Sequence, residues 1–188
     1  MRNAILFALF AAALAAYSRP AQAQTAVMAD AVELARPSGP DTAFSAVIVQ
    51  PILPVAGIIG YGFVSKRYAE AYAGPAFFLG PLKLGAGVGI EQASPWVRTG
   101  VIASFDLAPI SLFGIAEIGG SGPWASLEAM YHANGIIGIG TQGMSDSGVG
   151  PRLEITPLGP SAMMQTSLLY GWWNASVTGL VGVRATLN

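Results

Sequence analysis

LKLGAGVGIE, residues Leu82 to Glu91, places an apolar group at every second position: Leu82, Leu84, Ala86, Val88 and Ile90. Between them stand Lys83, three glycines and Glu91. Side chains repeat every second residue along a strand and about every 3.6 residues along a helix. The stretch therefore reads as a strand with one greasy face and one face of charge and near-empty space. The same alternation runs through Val97 to Asp106, Ala125 to His132 and Val177 to Leu187.

Turn signals such as Gly80-Pro81, Ala108-Pro109, Asn134-Gly135 and Asp146-Ser147-Gly148 separate these stretches. Together they predict ten strands, at about residues 57–65, 69–79, 82–91, 96–106, 109–118, 123–133, 136–145, 148–156, 162–173 and 174–187. Two stretches free of formal charge, Thr42 to Ser65 and Ile155 to Val183, are long enough for spanning helices, but each holds five or more prolines and glycines. That density of helix breakers costs several kcal/mol in propensity alone.

Residues 1–23 have the form of a secretory signal peptide: Arg2, an apolar stretch from Ala4 to Ala16, and Ala21-Gln22-Ala23 matching the small-x-small cleavage rule. Residues 24–56 stand outside the meander. Met28 to Arg36 reads as a short helix and Ala43 to Val49 as an added strand, so this segment is expected to plug a barrel or extend it. Residues 57–188 are expected to form the barrel itself. The chain has no cysteine, so an exported domain of this size must be held by packing or by a bilayer. Net charge is −1 and no basic block occurs, which sets nucleic acid aside as a partner.

Alternation alone does not say which face meets water. Only 10% of residues are charged, against about 25% in soluble domains. The polar face carries Glu91, Arg98, Glu117, Glu128, Arg152, Glu154, Gln165 and Arg184, and is otherwise mostly Gly, Ser, Thr and Met. Mixed signs at this density suit a narrow lumen in which the charges pair, with Gly85, Gly87, Gly89, Gly138 and Gly140 giving room for curvature or contents. Most strands reach the roughly 9–11 residues that cross a bilayer at a tilt. Trp96 and Trp124 open two of the ten strands, and Trp172 and Trp173 close another. In an up-and-down meander all four fall on one rim, as in an aromatic girdle at a membrane interface.

On these grounds residues 57–188 resemble the small outer-membrane β-barrel proteins of Gram-negative bacteria. The resemblance implies an antiparallel up-and-down transmembrane β-barrel of about 10 strands (range 8–12). It also implies both termini in the periplasm, outer-membrane lipid around the wall, and the barrel-assembly machinery as partner during insertion. The last strand matches that class's insertion signal at Gly182, Ala185 and Leu187. It departs from it at Leu180, at Leu187 in place of an aromatic, and at the final Asn188.

The chemistry is sparse. His132 is the one histidine; its strand face also carries Glu128, which lies four residues away and so about 13 Å along the strand, too far to orient the ring. Partners would have to come from neighbouring strands, with Gln142 or Glu117 as choices. Tyr131-His132-Ala133-Asn134 resembles the His-x-Ser pair of outer-membrane lipid A deacylases, but Asn134 replaces the serine nucleophile. No metal-ligand cluster is legible, and no cofactor is expected. The expected role is a structural barrel or a narrow pore, not an enzyme. The alternatives are a lipid-modifying enzyme using His132 and a soluble periplasmic ligand-binding barrel with its apolar face inward.

Overall fold

The computed structural model describes residues 26–36, 39–156, 161–172 and 174–187; the expected signal peptide lies outside them. Twelve strands form one closed barrel. They are β1 (Ala26–Arg36), β2 (Gly39–Leu53), β3 (Ala56–Ser65), β4 (Ala69–Leu79), β5 (Leu82–Glu91) and β6 (Val97–Leu107), then β7 (Ile110–Gly119), β8 (Gly122–His132), β9 (Ile137–Met144), β10 (Gly148–Ile155), β11 (Ala162–Gly171) and β12 (Ser176–Leu187). Each strand pairs antiparallel with its sequence neighbours, and β1 closes the ring on β12 through pairs from Val27–Leu187 to Ala35–Gly179.

The ten strands expected from 57 onward correspond to β3–β12, and the count is corrected to twelve. Of residues 24–56, those described extend the barrel and do not plug it: Met28 to Arg36, expected as a helix, belongs to β1, and the strand expected at Ala43 to Val49 is the middle of the longer β2. The reason is pairing. Alone, the segment carries a weak helical period, but β12 and β2 supply ladder partners along both of its sides. Local propensity yields to that tertiary context.

The alternation sorts the two faces as the ladder requires. Val88, Val101, Leu127, Leu168 and Val181 point outward and are more than half exposed. Arg98, Glu117, Glu128, Arg152 and Glu154 point inward and are buried. Two prolines break this regularity locally. Around Pro75 the β4–β5 ladder lacks pairs between Ala73 and Ala76, and around Pro151 the β10–β11 ladder lacks them between Val149 and Arg152, with the register kept on either side. Each lacks the N–H that the ladder would use there.

The interior is not uniformly polar. One half of the lumen, from β2 to β7, is filled by Val47, Ile59, Tyr61, Tyr72, Ile102 and Ile115. The glycine face of LKLGAGVGIE is where this filling lies. A Cβ on Gly85 would stand 2.5 Å from Ile59 Cγ2, and one on Gly87 2.8 Å from the Tyr72 ring. The bare backbone of β5 is the floor on which neighbouring side chains rest.

Candidate functional site

The lumen charges fall into two clusters. The first surrounds Arg98 on β6. Its Nη2 donates to Glu117 on β7 at 2.8 Å and its Nη1 to Glu91 on β5 at 3.0 Å, while Nε pairs with Glu70 on β4 and Glu117. Ser121 in the β7–β8 turn donates its hydroxyl to Glu91 at 2.5 Å, and the Tyr68 hydroxyl donates to Glu91 and Glu70. Burial and the Glu91 carboxylate raise the Tyr68 phenol above its ordinary range. Three carboxylates and one guanidinium thus sit at one end of the barrel, drawn from four consecutive strands.

The second cluster spans β8 to β12 and β1. Arg152 Nε donates to Glu154 at 2.8 Å, its Nη1 to Gln142 at 3.1 Å and Glu128 at 3.2 Å, and its Nη2 to Gln165. Arg184 Nε donates to Asp30 at 2.7 Å and its Nη1 to Glu128 at 3.3 Å. The contact from Arg184 on β12 to Glu128 on β8 joins strands four places apart, across a chord of the lumen.

All seven charged lumen residues expected from the sequence lie in these clusters: Glu91, Arg98 and Glu117 in the first, Glu128, Arg152, Glu154 and Arg184 in the second. Glu117 and Glu128, on adjacent strands, belong to different clusters. Sequence reasoning missed Glu70, Asp30 and Tyr68. Glu70 is the lone charge of β4, set among alanines at the strand's start, and Asp30 fell in the segment read as helix. Its face also carries Met28, Val32 and Leu34, so no local polarity pattern marks it.

The tryptophans divide. Trp96 and Trp172, at 64% and 66% exposed, stand outside at one rim. Trp124 shares that rim but points inward, on the face of Ser126 and Glu128, and its Nε1 donates to Asp146 Oδ1 at 3.3 Å. The expectation of an interface role for Trp124 is therefore corrected: position two residues into the strand fixes its face, not its place at the strand end. Trp173 lies outside the described residues.

His132 meets neither Gln142 nor Glu117. Its Nε2 is 2.9 Å from Ser111 Oγ on β7. The nearby acid on β6, Asp106, pairs with Lys83 at 3.2 Å, and among the described residues no carboxylate is hydrogen-bonded to the imidazole as a hydrolytic triad requires. Among the described residues no group of acids and histidines could hold a metal ion.

Three cavities follow one another along the lumen. One of about 470 Å³ opens at the tryptophan rim among Arg67, Tyr68, Glu70, Trp124 and Asp146. One of about 280 Å³ opens at the other rim among Lys83, Asp106, Ser111 and Thr186. Between them lies one of about 90 Å³, sharing Tyr61, Phe63 and Trp124 with the first, and Met28, Phe113 and Arg184 with the last. This neck has room for a few waters.

No known protein-family profile and no curated protein matches the chain. Solved structures match in fold. The chain is similar to the KdgM porin at 10% identity and a TM-score of 0.58, over 86% of this chain and 99% of that one. The same figures hold for KdgM porin in complex with disordered oligogalacturonate. The NanC porin matches at 11% identity and a TM-score of 0.53, over 85% of this chain and 100% of that one. At these identities the likeness is one of fold: a closed antiparallel barrel of the kind seen in small porins.

Proposed function

We propose that this protein is an outer-membrane β-barrel of the Gram-negative type, non-enzymatic, acting as a narrow pore. The observation that carries the reading is the division of the wall. Apolar side chains such as Val88, Val101, Ile118, Leu127, Leu168 and Val181 stand exposed all round the outside, while the strand charges Arg98, Glu117, Glu128, Arg152 and Glu154 are buried inside. Soluble monomers rarely expose a continuous apolar patch beyond a few hundred Å². A belt around a whole barrel calls for lipid. The barrel fold shared with KdgM and NanC porins supports the same reading, and the chain of cavities supports passage rather than a purely structural wall.

With both termini on the periplasmic rim, as an even strand number allows, the rim of Trp96 and Trp172 faces the cell exterior. The assembly machinery would engage the closing strand Ser176–Leu187 during insertion. The neck limits the permeant to small solutes and ions. The acidic sugar chain bound by KdgM is not carried over, because the guanidiniums of Arg98, Arg152 and Arg184 are already taken up by partners in the wall.

Two measurements test the proposal. In a planar bilayer the purified protein is expected to give discrete single-channel currents, far smaller than those of a wide porin; a silent bilayer despite folded protein would leave only the structural role. Val101→Arg places a charge at the middle of β6 on the outer face. In lipid it is expected to cost about 2–4 kcal/mol in urea unfolding from vesicles. On a water-facing surface the same change would stay within about 0.5 kcal/mol, and that result would overturn the lipid-facing reading.

A further inference from the structure

We infer that the lumen selects small cations over anions, an inference that rests on the pore reading and names its permeant class. The two buried clusters of the lumen carry six carboxylates, Asp30, Glu70, Glu91, Glu117, Glu128 and Glu154, against the guanidiniums of Arg98, Arg152 and Arg184. Formal charge in these two clusters is therefore negative.

The directions of the hydrogen bonds matter more than the sum. Every nitrogen of these three guanidiniums already donates. In Arg98 the acceptors are Glu70, Glu91, Glu117, Ser121 and the Gly122 carbonyl; in Arg152 they are Glu154, Gln142, Glu128 and Gln165; in Arg184 they are Asp30 and Glu128. An entering anion competes with wall carboxylates already bound to these groups. An entering cation meets oxygen lone pairs.

Glu117, with its side chain wholly buried behind Arg98, adds a carboxylate to this surplus of negative charge. A wall with more carboxylates than guanidiniums stabilises positive charge in the passage. Low-dielectric surroundings in a narrow neck amplify that preference. The apolar opposite wall of Tyr61, Phe113 and Ile115 supplies no competing cation to attract an anion.

The test is the zero-current potential of the full-length protein in a planar bilayer under a KCl gradient. The expected potassium-to-chloride permeability ratio is about tenfold, in line with the counter-ion enrichment of one-sign clefts. A combined Asp30→Asn, Glu70→Gln, Glu154→Gln variant brings the formal charge of the two clusters to zero while keeping an oxygen acceptor at each position. It is expected to lower the ratio to about one. If that variant fails to give the unboiled folded band on a detergent gel, Glu154→Gln alone is expected to lower the ratio part-way. Spermine added to one side is expected to block wild-type current, and citrate at the same concentration to leave it unchanged. Currents with chloride preference, or a neutralised lumen that keeps the full ratio, would overturn the inference while leaving the pore in place. Folded protein that carries no current would overturn the pore reading, and the selectivity with it.

Discussion

Arg98→Met is expected to cost about 3–5 kcal/mol and to abolish or sharply weaken the fast-migrating unboiled band that marks a folded barrel. The cost does not come from the loss of an attractive pair as such. Glu70, Glu91 and Glu117 have side chains 4%, 0% and 0% exposed, and they share this one guanidinium. Without it, three carboxylates are left packed together in a space that water does not solvate. Breaking one side of a buried ion pair is expensive for that reason, whereas replacing the whole cluster with neutral groups is often tolerated. The prediction can thus be separated from a simple packing defect. Adding Glu117→Gln to Arg98→Met should recover part of the lost stability, because it removes charge without removing volume. Arg98→Lys should fall between, since a single ammonium cannot reproduce the fork that holds Glu117 through Nε and Nη2 while Nη1 holds Glu91. Urea-unfolding midpoints in lipid vesicles, read by tryptophan fluorescence, would rank the three. A double variant no better than Arg98→Met would show that the cluster is not held in place by charge balance.

The same cluster shows how much of the site was legible. Glu91, Arg98 and Glu117 each stand alone among apolar or small residues on an alternating strand, so period alone assigns them to one face and their mixed signs imply pairing. Which glutamate meets which arginine depends on strand register, and register is set by turns and neighbours that no local pattern encodes. Glu70 and Tyr68 escaped because their strand opens Ala69-Glu70-Ala71-Tyr72-Ala73, where alanine gives almost no contrast between the faces. The first two strands escaped for a related reason. In Ala26–Arg36 valine, alanine, methionine and leucine occur with little contrast between the faces, and only the pairing of β1 with β12 and β2 decides that the segment is extended. Polarity contrast made the last ten strands readable. Where both faces are apolar, closure of the ring carries the information, and closure is not local.

That absence of contrast is deepest around Tyr72, where the second large effect is expected. The ring of Tyr72 packs against Tyr61, with centroids 5.1 Å apart, and lies over the bare backbone of Gly87 and Gly100. A Cβ on Gly100 would stand 2.6 Å from Tyr72 Cζ and 2.8 Å from its hydroxyl, so Gly100→Leu must displace the ring. The expected cost of that overpacking is about 1–3 kcal/mol. Tyr72→Ala removes the ring altogether and is expected to cost about 3–5 kcal/mol, at the lower end if lumen water fills the gap. Tyr72→Phe keeps the ring and should cost far less than Tyr72→Ala, at most the roughly 0.5–1.5 kcal/mol of one hydrogen bond, because the hydroxyl faces the buried Glu117 carboxylate. The decisive comparison is the double variant. If ring and glycine are two halves of one contact, Gly100→Leu made in the Tyr72→Ala background fills the vacated space, and the combined cost falls below the sum by about 0.5–3 kcal/mol. Strict additivity would mean that Gly100 is bare for some other reason than to seat Tyr72. The same pair reports on the passage, since Tyr72 belongs to the apolar packing that borders the neck through Tyr61. Tyr72→Ala should therefore raise single-channel conductance, and Gly100→Leu added to it should bring the conductance back down, tying the stability and the bore of the lumen to one ring.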